Sequence, residues 1–242
     1  MEQKSDQGTG LKTPDKLDQE VRARDFKELH EILSKLVVHF DPWIFRGQAS
    51  SEWPLLPKAG RVSWPEGADD LRLFQGWKRR AIEYASYRPD SDWDWLALAQ
   101  HHGLATRLLD WTLNPLAATF FAIAELENAE GALYAYRTSS NPLSYNQDIN
   151  SFKGLGFILP RGVTQRISRQ AGLFTVHSPP SLELTPQASG GTLTKILIPA
   201  DAKRQLRRQL NLYGINRLSL FPDLDGLSEY MNWALADSIL DT

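Results

Sequence analysis

One stretch of the chain combines an apolar sequence with a cluster of titratable side chains. The run from Asp94 to Ala122, DWLALAQHHGLATRLLDWTLNPLAATFFA, carries two adjacent histidines, an arginine and two aspartates among apolar residues. Burying such groups without partners is strongly unfavourable. The chain must therefore fold so that they pair with one another or line a cleft. The convergence of so many polar types within a dozen residues favours a ligand site over a purely structural ion-pair network.

Composition narrows the class of protein. The chain has 242 residues, of which 42% are apolar, which is enough for a sizeable core. It has no cysteine, so disulfide frameworks, iron–sulfur clusters and thiol nucleophiles are excluded. The formal net charge of −2 gives no overall basic signature for nucleic acid. No apolar run could span a bilayer and no signal-peptide core is visible, so we expect a cytoplasmic protein with no membrane partner.

The order of the predicted elements indicates the fold class. Strands and helices alternate irregularly, and some strands are too close for crossover helices, which predicts an α+β fold with a mixed, largely antiparallel sheet flanked by helices. We predict that residues 1–20 form a flexible N-terminal tail and that residues 21–242 form a single domain. The core of this domain lies at 43–122 and its C-terminal part at 131–242. Helices are predicted near 26–40, 70–87, 91–102, 112–128, 161–172, 201–214 and 226–240, strands near 43–47, 105–111, 131–138, 173–177 and 192–200, and irregular chain at 48–61 and 139–156.

Arg46 is the first candidate site residue. It lies in the apolar strand WIFRG, between Phe45 and Gly47. A buried arginine needs a carboxylate, a set of carbonyls or an anionic ligand, and its planar fork suits phosphate or carboxylate. Gly47 would allow a ligand or another backbone to approach closely. The structural alternative is an ion pair between Arg46 and Asp110.

The histidines and the strand that follows them supply further candidates. His101 and His102 end a predicted helix, and adjacent helical residues point about 100° apart, so they cannot easily share a metal ion. No paired metal-binding motif is present, and we expect no metal. On the next strand Arg107 and Asp110 fall on opposite faces. Asp110 is the best candidate there for orienting a partner, with helix capping as its structural alternative.

Two other polar groups are interpreted as solvent-exposed helix faces. Arg166 and Gln170 are four residues apart on one predicted helix. A later helix carries a basic face that could contact phosphates but is more typical of a solvated surface. That face consists of Lys203, Arg204, Arg207 and Arg208.

Three strings together resemble the FRG domain family, which is named for its Phe-Arg-Gly triplet. They are WIFRGQ, WPLLPKAGR and LALAQHHGLATRLLDWTLNPLAATFFA, and the later strings RISRQAGLFTVH and FPDLDGL are also similar to the family. The triplet corresponds here to Phe45, Arg46 and Gly47. The resemblance implies a bacterial or phage protein carrying a domain whose activity is not defined.

The pattern is also similar to ADP-ribosyltransferases, in which a first-strand arginine holds NAD. On this resemblance Arg46 would grip a phosphate or ribose, and His102 or Asp110 would orient ribose hydroxyls. The late-strand glutamate of that superfamily is missing from GLFTVH, so either Asp110 or Glu52 replaces it or the pocket binds without catalysing. The resemblance makes Arg46, His102 and Asp110 the candidate catalytic residues, and Arg46, Gly47, Gln48, His101, Arg107, Thr112 and Gln170 the candidate ligand-binding residues.

The resemblance implies an NAD-using effector of bacterial defence or toxin systems, with NAD as substrate and a nucleotide as the small-molecule partner. The alternative is a non-catalytic binding module for a nucleotide, a nucleic acid or a protein. A nuclease ranks last, because the sequence lacks the carboxylate cluster that two-metal chemistry requires.

Overall fold

A seven-stranded sheet organises the part of the chain that the computed structural model describes, residues 19–36, 43–85, 87–138, 140–161 and 172–237. The strand order is β1-β7-β4-β2-β3-β6-β5, and only the β1–β7 pair is parallel within this described sheet. The predicted α+β fold with a mixed, largely antiparallel sheet is therefore confirmed. The strands are β1 (Gln19–Arg22), β2 (Trp43–Gln48), β3 (Leu108–Thr112), β4 (Gly131–Arg137), β5 (Gly154–Ile158), β6 (Gly172–Ser178) and β7 (Thr192–Ile198).

Helices begin where the sequence places capping residues. Asp69 accepts a hydrogen bond from the backbone of Arg72, Ser91 from Asp94, and Asn114 from the first turn of its helix. Such caps each stabilise a helix by about 1 kcal/mol. The helices are α1 (Phe26–Leu36), α2 (Asp70–Ala81), α3 (Asp92–His101), α4 (Pro115–Ile123), α5 (Pro186–Ser189), α6 (Ala200–Leu212), α7 (Arg217–Leu220) and α8 (Leu224–Ala236), with a short 3-10 helix at Lys58–Arg61.

Two separate groups of helices cover the same face of the sheet. Helices α1, α4 and α6 pack on the half containing β2, where Phe45 and Phe120 are buried together. Helices α2 and α3 pack on the half containing β3, where Trp93 and Leu108 are buried. Phe45 pairs with Thr112, and Leu108 lies four residues before Thr112 on the same strand, so Phe45 and Leu108 are on the same face of the sheet. The boundary between the two helix groups therefore lies above the boundary between β2 and β3. The opposite face has its own core around Ile44 and Trp111.

Gly47 determines how closely α4 lies on the sheet. A Cβ atom there would stand 1.9 Å from the carbonyl oxygen of Ala118 and 2.5 Å from the amide nitrogen of Ala122. The close approach that the sequence predicted at Gly47 is therefore an approach of the α4 backbone. Helix α4 is apolar nearly all round, and most of its residues are buried.

Several predicted boundaries are wrong. The helix predicted to reach residue 87 ends at Ala81, and Ile82 just after it is 42% exposed. Strand β3 begins at Leu108 and not at 105. Strand β5 is not among the predicted strands, because its glycine-rich sequence gives little strand signal, and it begins within the segment 139–156 that is predicted to be irregular. Helix α6, predicted near 201–214, begins at Ala200 and ends at Leu212.

Other predictions lie partly or wholly beyond the described residues. Residues 1–18 of the predicted tail are outside them, and the tail's last two positions, 19 and 20, belong to β1. The helix predicted at 161–172 also falls largely outside, together with Arg166 and Gln170. Among the helices that the structure does describe, none is long and apolar enough to cross a membrane.

We expect Gly47→Ala to lower the free energy of unfolding by about 2–3 kcal/mol, because the added methyl group must displace the α4 backbone. Gly76→Ala in α2 is the matched control. Its new Cβ would meet only flexible arginine side chains at 3.6 Å or more, and alanine favours the helix. Chemical denaturation of both variants tests the difference. Equal stability of the two variants would contradict the close packing of α4.

Candidate functional site

The sheet opens between β2 and β3. The two strands are paired at one position, Phe45 opposite Thr112, whereas each pairs along its length with its other neighbour. Continuing the antiparallel register would place Gly47 opposite Asp110. Instead, the guanidinium of Arg46 lies there and its Nη1 donates to the carbonyl oxygen of Asp110 at 2.8 Å. A side chain thus replaces a ladder hydrogen bond where the strands separate.

A cleft of about 600 Å³ lies at this opening, between the C-terminal end of α3 and the helices α4 and α7. That volume falls in the range usual for small-molecule sites, roughly 300–1,000 Å³. Five of the predicted site residues line the cleft: Arg46, Gly47, His101, Asp110 and Thr112.

Arg46 is a desolvated cation at the floor of the cleft. Its side chain is 16% exposed, and the nearest oxygen of the Asp110 carboxylate lies 3.9 Å from Nη1. Burial lowers the pKa of Arg46 to about 10, Asp110 opposes this effect, and the nearby charge of Arg61 adds to it. The guanidinium remains protonated at neutral pH, but Asp110 compensates only part of its desolvation. An anionic ligand would supply the rest.

Helix α3 orients the Asp110 carboxylate. Oδ2 of Asp110 accepts a hydrogen bond from Nε2 of Gln100, a residue of α3, at 3.0 Å. Oε1 of Gln100 accepts a hydrogen bond from the hydroxyl of Thr106. The side chain of Asp110 is 60% exposed and faces the cleft. The alternative role predicted for Asp110, capping of α4, is wrong because Asn114 is the cap.

Gln48 holds Arg46 and the neighbouring loop in place. Its side chain is buried, its Oε1 accepts a hydrogen bond from Nε of Arg46 at 3.3 Å, and its Nε2 donates to the carbonyl oxygen of Trp53 at 2.7 Å. Gln48 therefore fixes both the arginine and the loop that carries Trp53. Trp53 itself lines the cleft. The structure thus gives Gln48 a positioning contact, whereas the sequence predicted direct ligand contact.

Besides Gln48, three predicted site residues are not among those that line the cleft in the described structure. His102 is exposed in a different groove, beside Trp77 and Leu98. Arg107 is buried in a bidentate ion pair with Asp70, at 2.7 and 2.8 Å, which joins α2 to the start of β3. The third, Gln170, lies outside the described residues. Arg107 therefore has a structural partner where the sequence suggested a ligand.

Sequence reasoning missed a second wall of the cleft. Glu125, at the end of α4, faces the cleft with an exposed side chain, and residues of the α7 region join it. The apolar pattern of α4 stops at Ala124, and this change is the one signal that pointed to Glu125. The missed lining residues include Trp53, Phe121, Glu125, Arg217 and Phe221.

The predicted basic face of α6 is corrected by the structure. Lys203 is 3% exposed, and its ammonium group donates to the carbonyl oxygens of Ala49, Glu125 and Leu126 at 3.0–3.1 Å. Lysine has three donors, so these contacts occupy all of them. Arg204 and Arg208 do reach the surface, where they pair with Asp237. Within the described residues, no group of three or more His, Asp or Glu side chains is arranged for a metal ion.

A buried hydrogen-bond chain anchors Trp111 behind the cleft. Its Nε1 donates to the hydroxyl oxygen of Thr175, and that hydroxyl contacts Nε2 of His177 at 2.9 Å. Nδ1 of His177 lies 2.6 Å from the carbonyl oxygen of Leu182. A carbonyl only accepts, so Nδ1 carries the proton and Nε2 accepts from Thr175. Burial lowers the pKa of His177 to about 4, which keeps the imidazole neutral at physiological pH.

This lowered pKa predicts a loss of stability in mild acid. The unfolded chain takes up the His177 proton near pH 6.5 and the folded protein only near pH 4. The free energy of unfolding should therefore fall as the pH drops through this window, with His177 contributing about 3 kcal/mol of the loss. His177→Asn keeps a donor for Leu182 and should flatten this part of the curve. Parallel curves for the two proteins, measured by denaturation between pH 7 and 4, would contradict the prediction.

Comparison with known proteins identifies part of the chain. A family model described as the FRG domain matches residues 41–131. This range contains the triplet Phe45, Arg46 and Gly47, and it runs through β3 and α4 to the start of β4. No curated protein and no solved structure gives a significant match. The segment 41–131 is therefore an FRG domain, and the arginine of its name-giving triplet lies at the floor of the cleft.

Proposed function

We propose that the cleft binds a nucleotide through a phosphate at Arg46, and that the protein consumes NAD as a cytoplasmic, ADP-ribosyltransferase-like effector of bacterial defence or toxin systems. The observation that carries the proposal is the position of Arg46. Its guanidinium is desolvated, only partly compensated by Asp110, and located at the open edge between β2 and β3. An arginine in such a position favours phosphate, which matches its planar set of donors.

The remainder of the cleft supports a nucleotide over a simple anion. Trp53, Phe121 and Phe221 line it, and flat aromatic groups favour a ligand with a planar ring. Its volume of about 600 Å³ leaves room for much more than a phosphate group. Arg46 and these rings together match an anionic ligand that also carries a base.

Two carboxylates support a glycosidic reaction. In NAD consumption the bond between the ribose C1′ and nicotinamide breaks, its electron pair leaves with nicotinamide, and water or an acceptor nucleophile then bonds to C1′. A carboxylate stabilises the oxocarbenium-like ribose that forms in between. Strand β6 contains no glutamate that could stabilise the oxocarbenium-like ribose. Asp110 and Glu125 both line the cleft, so either carboxylate can take this role. Glu52, the other replacement suggested by the sequence, is not among the lining residues.

A non-catalytic binding module is the second candidate, and one observation favours it. The Asp110 carboxylate already accepts a hydrogen bond from Gln100, which limits its freedom to act on a ribose. This candidate predicts saturable binding of a nucleotide with no product. Binding of nucleic acid through α6 is less well supported, because Lys203 is buried and Arg204 and Arg208 are paired with Asp237.

The decisive experiment measures NAD binding by calorimetry and nicotinamide release by chromatography, with and without cell lysate. Arg46→Met keeps the length of the side chain but removes its charge and its donors. It should weaken NAD binding about 10- to 100-fold, because a charge-assisted contact contributes about 1.5–3 kcal/mol. Arg208→Met is the matched control, since Arg208 lies on the surface beside Asp237 and does not line the cleft.

The outcomes separate the candidates. Nicotinamide release that depends on Arg46 supports the enzyme. Binding that depends on Arg46 without any release supports the binding module. If well-folded wild-type protein neither binds nor consumes NAD, the proposal is wrong. Cooperative thermal unfolding of Arg46→Met shows that its loss of binding is not a loss of fold.

A further inference from the structure

The cleft has a second end whose chemistry differs from that at Arg46. Arg217 and Phe221 line it there, and Phe121 of α4 lies beside them. The guanidinium carbon of Arg217 stands 3.7 Å from the centre of the Phe221 ring. The two aromatic rings are 6.0 Å apart and meet edge to face, at 77°. Phe221 is only 6% exposed, so this end presents to the cleft mainly the guanidinium of Arg217, which is stacked on that ring, and the partly buried ring of Phe121.

Arg217 differs from Arg46 in its charge balance. Its Nη2 donates to Oε1 of Glu229 at 3.0 Å, and its Nε lies 2.7 Å from Oε2 of the same carboxylate. The carboxylate neutralises the cation and fixes the plane of the guanidinium. Arg217 consequently offers a stacking plane and its remaining hydrogen-bond donors, whereas Arg46 offers a charge that is only partly compensated.

The local chain holds this end rigid. Asn216 closes a capping box at the start of α7, which sets the direction of Arg217. The first turns of α8 lie directly against Phe221, because a Cβ atom on Gly226 would stand 2.0 Å from the Phe221 carbonyl oxygen. Helix α8 also carries Glu229 to Arg217. The surface is thus formed before any ligand arrives.

We infer that Arg217, which is backed by Phe221, and Phe121 form a base subsite, which stacks the purine of an adenylate-containing ligand whose phosphate lies at Arg46. This inference rests on the proposed function, and it adds the part of the ligand that each end of the cleft recognises. Stacking on aromatic and guanidinium planes is a common way of binding bases. Selectivity for the base then comes from the α7 end and affinity for phosphate from the β2 end.

The test compares three probes by calorimetry: AMP, ribose 5-phosphate, which lacks the base, and adenosine, which lacks the phosphate. Arg217→Lys keeps the charge but loses the plane, and Phe121→Leu keeps apolar bulk but loses the ring. Each should weaken AMP and adenosine binding about fivefold and leave ribose 5-phosphate within twofold. Arg137→Lys is the control, because Arg137 stacks over Trp43 at 5.4 Å and does not line the cleft.

Each outcome bears on one end of the cleft. Equal wild-type affinity for AMP and ribose 5-phosphate overturns the base subsite and leaves the phosphate site intact. Equal weakening of AMP and ribose 5-phosphate by Arg217→Lys also overturns it, because Arg217 would then bind phosphate. A third outcome is that the wild-type protein binds adenosine but not ribose 5-phosphate, and that Arg217→Lys weakens the binding of adenosine. This outcome supports the base subsite and overturns the phosphate site. A wild-type protein that binds none of the three probes overturns both.

Discussion

The hydrogen bond from Arg46 to the carbonyl oxygen of Asp110 is the contact on which the site depends. Strands pair because each backbone donor and acceptor needs a partner, and opening a sheet leaves such groups unsatisfied. Here a guanidinium satisfies the carbonyl from the neighbouring strand. The sheet can then part between β2 and β3 while this carbonyl oxygen keeps a partner within the protein. The same side chain that makes the opening tolerable also supplies the charge inside it.

Two arginines near the opening show how partner geometry separates structural from functional roles. Arg107 has a bidentate carboxylate, Asp70, and both side chains are buried, so its charge is compensated within the fold. Arg46 has carbonyl and amide partners at close range, and its carboxylate neighbour lies farther away, at 3.9 Å. Removing one partner of a compensated buried pair destabilises the fold. Replacing Arg46 removes the attraction for a ligand together with one hydrogen-bond donor to the Asp110 carbonyl.

Sequence patterns predicted the frame of the fold and the floor of the site, but not its far wall. Caps such as Ser91 and Asn114 are local signals, and so is the arginine in an apolar strand, because both follow from the chemistry of adjacent residues. The β2–β3 opening depends on register, which no single segment encodes. Arg217 and Glu125 reach the cleft only through the packing of α4, α7 and α8, so periodicity could not place them. His102 shows the converse, since its neighbour His101 enters the cleft while His102 turns away from it.

Lys203 links the end of β2 to the end of α4. Its ammonium group holds the carbonyl oxygens of Ala49 on one side and of Glu125 and Leu126 on the other. Ala49 and Glu125 both belong to the cleft, so one buried ammonium ties its floor to one of its walls. The width of the cleft at this end is then set during folding, before any encounter with a ligand. A ligand entering there loses little free energy to ordering the protein, and its affinity reflects the contacts that it makes.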